Sequence, residues 1–185
     1  MRKIIIDTDP GQDDALAMMT AFGAKKDLNV LGVTCVAGNV PLDLTSLNAL
    51  KICELSGFFS VPVFRGSPAP LKRKLITAEH VHGKTGLDGT DLSVKKKELE
   101  PTDAVDFIIE CTKKYRDEKI TICALGPLTN VAKVLKKDSV LTESIEEIVL
   151  MGGGFFEGGN ITPAAEFNIY VDPEAAKIVS KSVLY

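Results

Sequence analysis

The stretch KIIIDTDPGQDDALAMMTAFGA (Lys3–Ala24) changes character twice within one breath of chain. Three isoleucines in a row suit a strand covered on both faces. Pro10 and Gly11 then mark a turn, and from Asp13 onward the apolar residues return at helical spacing. Strand, turn and helix in that order open a βαβ unit. The turn is also unusually acidic, with Asp7, Asp9, Asp13 and Asp14 crowded around it.

The same alternation continues outward. VLGVTCVAG precedes LDLTSLNALKICELSG, VPVFRG follows, AVDFIIECTKKYRD leads to ITICALG, and LTNVAKVLKKD leads to IEEIVLMGGG. Short apolar strands separated by amphipathic helices predict an α/β protein: an open, mostly parallel sheet with helices on both faces. Such sheets bind ligands beyond the carboxyl ends of their strands. Four segments rich in Gly, Asn, Asp or Thr fall there: DTDPGQDD, AGNVP, ALGPLTN and MGGGFFEGGN. A fifth, AEHVHGKTGLDG (Ala78–Gly89), has neither strand nor helix periodicity and holds both histidines.

The 185 residues suit one domain, 1–185, with one sizeable core. With 45% hydrophobic and 25% charged residues and a net charge of −3, the composition is that of a soluble globular chain. It points to no nucleic-acid partner and no membrane surface. The basic runs KRK (Lys72–Lys74) and KKK (Lys95–Lys97) read as solvated surface. Cys35, Cys53, Cys111 and Cys123 form no C-x-x-C pair and lie in apolar stretches, as reduced core cysteines do. The opening MRKIII is too short in apolar residues for a signal peptide, so a cytoplasmic location is expected.

Four carboxylates in one loop repel one another unless a cation is bound. Capping of the following helix accounts for one or two of them, through its dipole and its free N–H groups. The rest call for a hard divalent ion, calcium or magnesium. Asn39, Asn160, Glu166 and Asn168 place amides and a carboxylate on loops at the same sheet edge. Singly each suits a turn or a cap, but together they suit the vicinal hydroxyls of a sugar. His82 is open to three roles, as general acid, leaving-group contact or loop histidine, while His80 reads as structural or exposed.

DTDPGQDDALA, VAGN, HGKTGL, ALGPLTN, MGGG with GGN, and AEFNIYVDPEAA, in that order, resemble the inosine-uridine-preferring nucleoside hydrolase family over the whole chain. The resemblance implies a Ca2+-dependent N-ribohydrolase that cleaves ribonucleosides to ribose and free base. It makes Asp9 the general base and a metal ligand, Asp14 a bidentate metal ligand, and Asp7 the third carboxylate of the metal cluster. It adds the Leu125 carbonyl as a ligand. Asp13, Asn39, Asn160, Glu166 and Asn168 would hold the ribose, with the Met151 backbone beside them and His82 toward the base. Members of the family associate as dimers or tetramers, so a homo-oligomer is expected.

Members of the resembled family are longer, and their later part carries a His-Asp pair that closes the calcium shell. The chain therefore reads as the amino-terminal portion of such a domain, truncated at its C-terminal side, with impaired turnover. DPEAAKIVSKSVLY predicts a helix capped by Asp172, followed by three residues that could open a strand. Two other readings remain at this point. One is a non-catalytic nucleoside-binding or self-associating remnant. The other is a phosphotransferase of the haloacid-dehalogenase type, which shares a strand followed by Asp-x-Asp but wants Thr or Val where Gly11 stands.

Overall fold

A computed structural model describes residues 1–137 and 139–182. The strands are β1 (Arg2–Thr8), β2 (Leu28–Cys35), β3 (Val63–Arg65), β4 (Ile120–Ala124) and β5 (Ile145–Leu150). The helices are α1 (Gln12–Gly23), α2 (Leu42–Leu55), α3 (Glu79–His82), α4 (Ala104–Lys114), α5 (Thr129–Lys137), α6 (Phe167–Val171) and α7 (Pro173–Ser182). The strands form one sheet in the order β3-β2-β1-β4-β5, and every neighbouring pair is parallel. The expectation of a mostly parallel sheet is thus met in full among the described residues.

The side-chain alternation of β1 sorts the core into two layers. Ile4 and Ile6 pack with Met18 and Phe22 of α1 and Ile52 and Cys53 of α2. Ile5 points the other way, into Ile108 of α4, Val131 and Val134 of α5, and Val179 of α7. Continuing the same parity, Thr8 turns toward α1, where it donates to Asp14, and Asp7 turns toward α5, where Asn130 donates to it. A buried strand apolar on both sides therefore delivers its polar end to two different places.

β1 lies at the centre. The chain builds outward through β2 and β3 and then returns to start β4 on the other flank of β1. That reversal opens a crevice at the carboxyl end of β1, the position where open α/β sheets bind ligands. β3 and β5 are the two outer strands, and Val149 and Leu150 stand half-exposed on β5.

One expectation changes, and another is met as far as the described residues reach. The His-bearing loop is not free of regular structure: Val81 and His82 donate their N–H groups to the Ala78 carbonyl and wind the single turn α3. Four residues are too few to show a period. Asp172 does cap α7, accepting the Ala175 N–H at 3.0 Å, but the strand expected at residues 183–185 lies outside the described residues. Cys35, Cys53 and Cys111 are buried, Cys123 is half-buried, and none is paired. No described helix is long and apolar enough to cross a membrane.

Candidate active site

Asp9 leaves the end of β1 and is almost completely buried. One carboxylate oxygen, Oδ2, accepts the Asn39 N–H at 2.7 Å, while Oδ1 is buried with no partner. Two glycines make room for it: a Cβ at Gly38 would strike Oδ2, and one at Gly126 would strike Oδ1. Burial, followed by the Asp14 charge, pushes the Asp9 carboxyl well above the ordinary range.

Asp14 performs the capping foreseen for part of the cluster. Its Oδ2 accepts the Gly11 N–H at 3.1 Å, closing the first turn of α1, and its Oδ1 accepts the Thr8 hydroxyl at 2.7 Å. Burial raises its carboxyl too. The Asn39 amide spans both acids, donating to the Asp9 carbonyl at 3.0 Å and to Asp14 Oδ2 at 3.4 Å.

The ends of β4 and β5 supply the opposite wall. Asn168 on α6 donates to the Leu125 carbonyl at 2.8 Å and to the Met151 carbonyl at 3.1 Å, tying the two strand ends together. Glu166 precedes α6 as its cap. Its carboxylate accepts the N–H groups of Asn168 at 2.9 Å, Ile169 at 3.1 Å and Gly153 at 3.0 Å. Asn160 Oδ1 accepts the Phe167 N–H at 2.8 Å. These residues serve as caps and loop ties while bordering the cavity, so the two readings of each asparagine are compatible.

Between the walls lies a cavity of about 230 Å³. Asp9, Asp13, Asp14, Asn39, His82, Leu125, Met151, Asn160, Glu166 and Asn168 all line it. Asp7 is the exception, although its Oδ2, like Oδ1 of Asp9, is buried with no partner. Strand parity turns it to the α5 side, where its Oδ1 accepts Thr34 at 2.6 Å and Asn130 at 2.8 Å, and it does not border the cavity. Burial lifts its carboxyl to about 6.

His80 lines the cavity as well, beside His82, which the sequence reading had not foreseen. Its only signal was its place two residues before His82. Two buried asparagines were also missed. Asn48 on α2 donates to the Pro10 carbonyl at 3.1 Å and the Thr85 carbonyl at 2.7 Å, joining the acidic loop to the histidine loop. Asn130 joins Asp7, the Cys35 carbonyl and the Ser67 N–H. Their signal was an amide within the buried run of an amphipathic helix, Asn48 beside Thr45 and Ser46 and Asn130 beside Thr129.

Among the described residues no lysine or arginine borders this cavity. Among the described residues no three His, Cys, Asp or Glu side chains are grouped to hold a metal. Any cation here would rely on two carboxylates and on carbonyl oxygen. Asp9 offers an unpartnered Oδ1, Asp14 is ionisable, and the Leu125 carbonyl has a second lone pair beyond its bond to Asn168. All are hard oxygen donors of the kind Ca2+ takes, and two buried acids with no lysine or arginine beside them among the described residues fit a divalent ion.

The fold and the site together define an open parallel α/β protein with an acidic, amide-walled cavity at its topological switch point. The chain belongs to the inosine-uridine preferring nucleoside hydrolase family, whose sequence profile matches residues 4–184. An uncharacterized protein of Schizosaccharomyces pombe is 51% identical over 180 residues, which are 97% of this chain and 58% of that protein. The pyrimidine-specific ribonucleoside hydrolase RihB of Escherichia coli is 46% identical over 181 residues, covering 98% of this chain and 56% of its own length. A purine-preferring ribonucleoside hydrolase from Gardnerella vaginalis superposes with a TM-score of 0.93 at 34% identity, over 98% of this chain and 58% of that structure. The plant nucleoside hydrolase PpNRh1 gives 0.92 at 39% identity, over 98% and 57% respectively. The chain thus spans somewhat more than half the length of these relatives. Family membership sets aside the phosphotransferase reading.

Proposed function

We propose that the cavity hydrolyses the N-glycosidic bond of a ribonucleoside, giving ribose and free base, with Ca2+ as cofactor. The observation that carries the reading is the unpartnered, buried Oδ1 of Asp9, a residue that borders an amide-walled space with no lysine or arginine among its described lining residues. About 230 Å³ is below the ~300–1,000 Å³ common for drug-sized ligands and suits a sugar with its base projecting outward. Asp9, Asp14 and the Leu125 carbonyl would hold the ion, with Asp7 buttressing the loop from behind.

Bound calcium would neutralise the two acids and make water at the site more acidic. Asp9 then serves as general base: it takes a proton from water as the water oxygen attacks the anomeric carbon and the C–N bond to the base breaks. Asp13, Asn39, Asn160, Glu166 and Asn168 accept from and donate to the ribose hydroxyls, beside the Met151 backbone. Contacts of this kind assist most when they tighten as the ring flattens toward an oxocarbenium ion. His82 faces the departing base, which must gain a proton. The soluble composition, and the lack of any membrane-crossing helix among the described residues, support action in the cytoplasm. The half-exposed outer strand supports association into a homo-oligomer. Residues 1–185 act as one domain in this reading.

Release of free ribose from inosine and from uridine, with calcium present and protein in high concentration, tests the reaction. Turnover is expected, with a loss of about 10²–10⁴-fold in Asp9→Asn. Absence of ribose with both nucleosides, or an undiminished rate in Asp9→Asn, would overturn it.

A further inference from the structure

We propose that Gly11 and Gln12 form a seat that fixes the tautomer of His82, so that Nδ1 carries the proton and Nε2 is the free ring nitrogen. Gln12 makes two contacts with His82, one to the ring and one to the backbone. Gln12 Oε1 lies 2.7 Å from His82 Nδ1, and Gln12 Nε2 donates to the His82 carbonyl at 3.4 Å. One side-chain amide therefore grips both the ring and the backbone of a single residue, across 70 positions of sequence.

The orientation of that amide follows from what its partners can do. A backbone carbonyl only accepts, so the amide NH2 of Gln12 must face it. The amide oxygen is then left facing Nδ1. An amide oxygen also only accepts, so Nδ1 must donate and therefore holds the proton. In the neutral ring Nε2 is consequently a lone-pair acceptor, and it becomes a donor only in the imidazolium. The reversed amide would set oxygen against oxygen at the carbonyl.

Gly11 supplies the floor of the seat. A methyl group there would lie 2.5 Å from His82 Nδ1 and 2.8 Å from Cε1, so the ring occupies the space a side chain would take. The glycine has an extended φ of −95°, within reach of any residue, so close approach by the imidazole is the reason for its lack of a side chain. The single turn α3 brings the ring down onto this position, with its Ala78 N–H held by the Asn39 carbonyl at 2.9 Å. His80, on the same turn, has no hydrogen-bond partner among the described residues, so its tautomer is unconstrained. Gln12 is a positioning residue that acts through His82.

The chemical consequence rests on the nucleoside reading above. A neutral His82 offers an acceptor to an N–H or amino group on the base edge, and can hand a proton to the departing base only from its charged form. Gln12 thereby selects which edge of a nucleobase the histidine can meet.

The chain contains only two histidines, which makes the tautomer directly measurable. Long-range ¹H–¹⁵N spectra of the ¹⁵N-labelled full chain, recorded at about pH 8.5 where an ordinary imidazole is neutral, resolve both rings, and His80→Gln assigns them. The expected result is a protonated-type Nδ1 and an unprotonated-type Nε2 for His82. In Gln12→Leu the ratio should shift toward Nε2–H, and Gln12→Glu, which keeps an acceptor oxygen, should restore it. His80 should be unchanged in both variants. Gln12 is exposed, so neither substitution threatens folding. A His82 that is Nε2–H in the parent chain, or that keeps Nδ1–H in Gln12→Leu, would overturn the inference. Ribose release from the same samples separates the two claims: the predicted tautomer without ribose sinks the hydrolase reading alone, and ribose with the wrong tautomer sinks the seat alone.

Discussion

Asp7, Asp9 and Asp14 all have carboxyls raised by burial, so each binds its proton more tightly in the folded chain than in the unfolded one. For Asp7 the rise is from 3.8 to about 6. Its stabilising contribution is complete below the unfolded value and disappears as pH climbs through the folded one, a loss of roughly 3 kcal/mol. Urea unfolding in chelator should therefore show stability falling between about pH 4 and pH 7, and Asp7→Asn should flatten that fall. A stability that rises over the same interval would contradict the assignment. Added calcium should oppose the loss at neutral pH by binding the folded form. The acidity of this loop was plain in the sequence. The division of labour within it was not, because it depends on strand parity: Asp7 shares the side of Ile5, and only the packing of α5 against that side shows that Asn130 is waiting there.

At the scale of elements, the strands and longer helices were legible because apolar periodicity is local and survives in the chain itself. The turn α3 was not, since four residues carry no period, and its shape depends on the Asn39 carbonyl holding Ala78. The run Lys95–Lys97 read as solvated surface, yet its backbone is pinned: all three N–H groups point at the Glu54 carboxylate of α2, at 3.1 to 3.2 Å. Hydrogen exchange should be slowed at these amides, and Glu54→Ala should release it there without touching the β1 amides. α2 has a second task through Asn48, whose amide holds the Pro10 and Thr85 carbonyls together. Asn48→Leu would strand both carbonyls, at a cost of about 1–3 kcal/mol in unfolding free energy. A neutral substitution would show that the two loops are held by something else.

For the whole molecule, local periodicity identifies the parallel class but not the strand order, which depends on the chain returning past β1 to begin β4. That return places Asp9, Leu125 and Met151 on neighbouring strand ends and so makes a site from segments far apart in sequence. The same order leaves β5 on the outside, with Val149 and Leu150 half-exposed. Exposed strand edges with apolar side chains favour association. Light scattering should report concentration-dependent self-association, weakened in Val149→Lys; an unchanged assembly in that variant would place the contact elsewhere.

In the proposed site Asp9 and Asp14, not Asp7, hold a cation at the crevice of the sheet. Calorimetric titration of Ca2+ into the chelator-treated full chain tests it most directly. One saturable site is expected, lost in Asp9→Asn and retained in Asp7→Asn. Absence of binding, or binding that survives Asp9→Asn and disappears in Asp7→Asn, would contradict it.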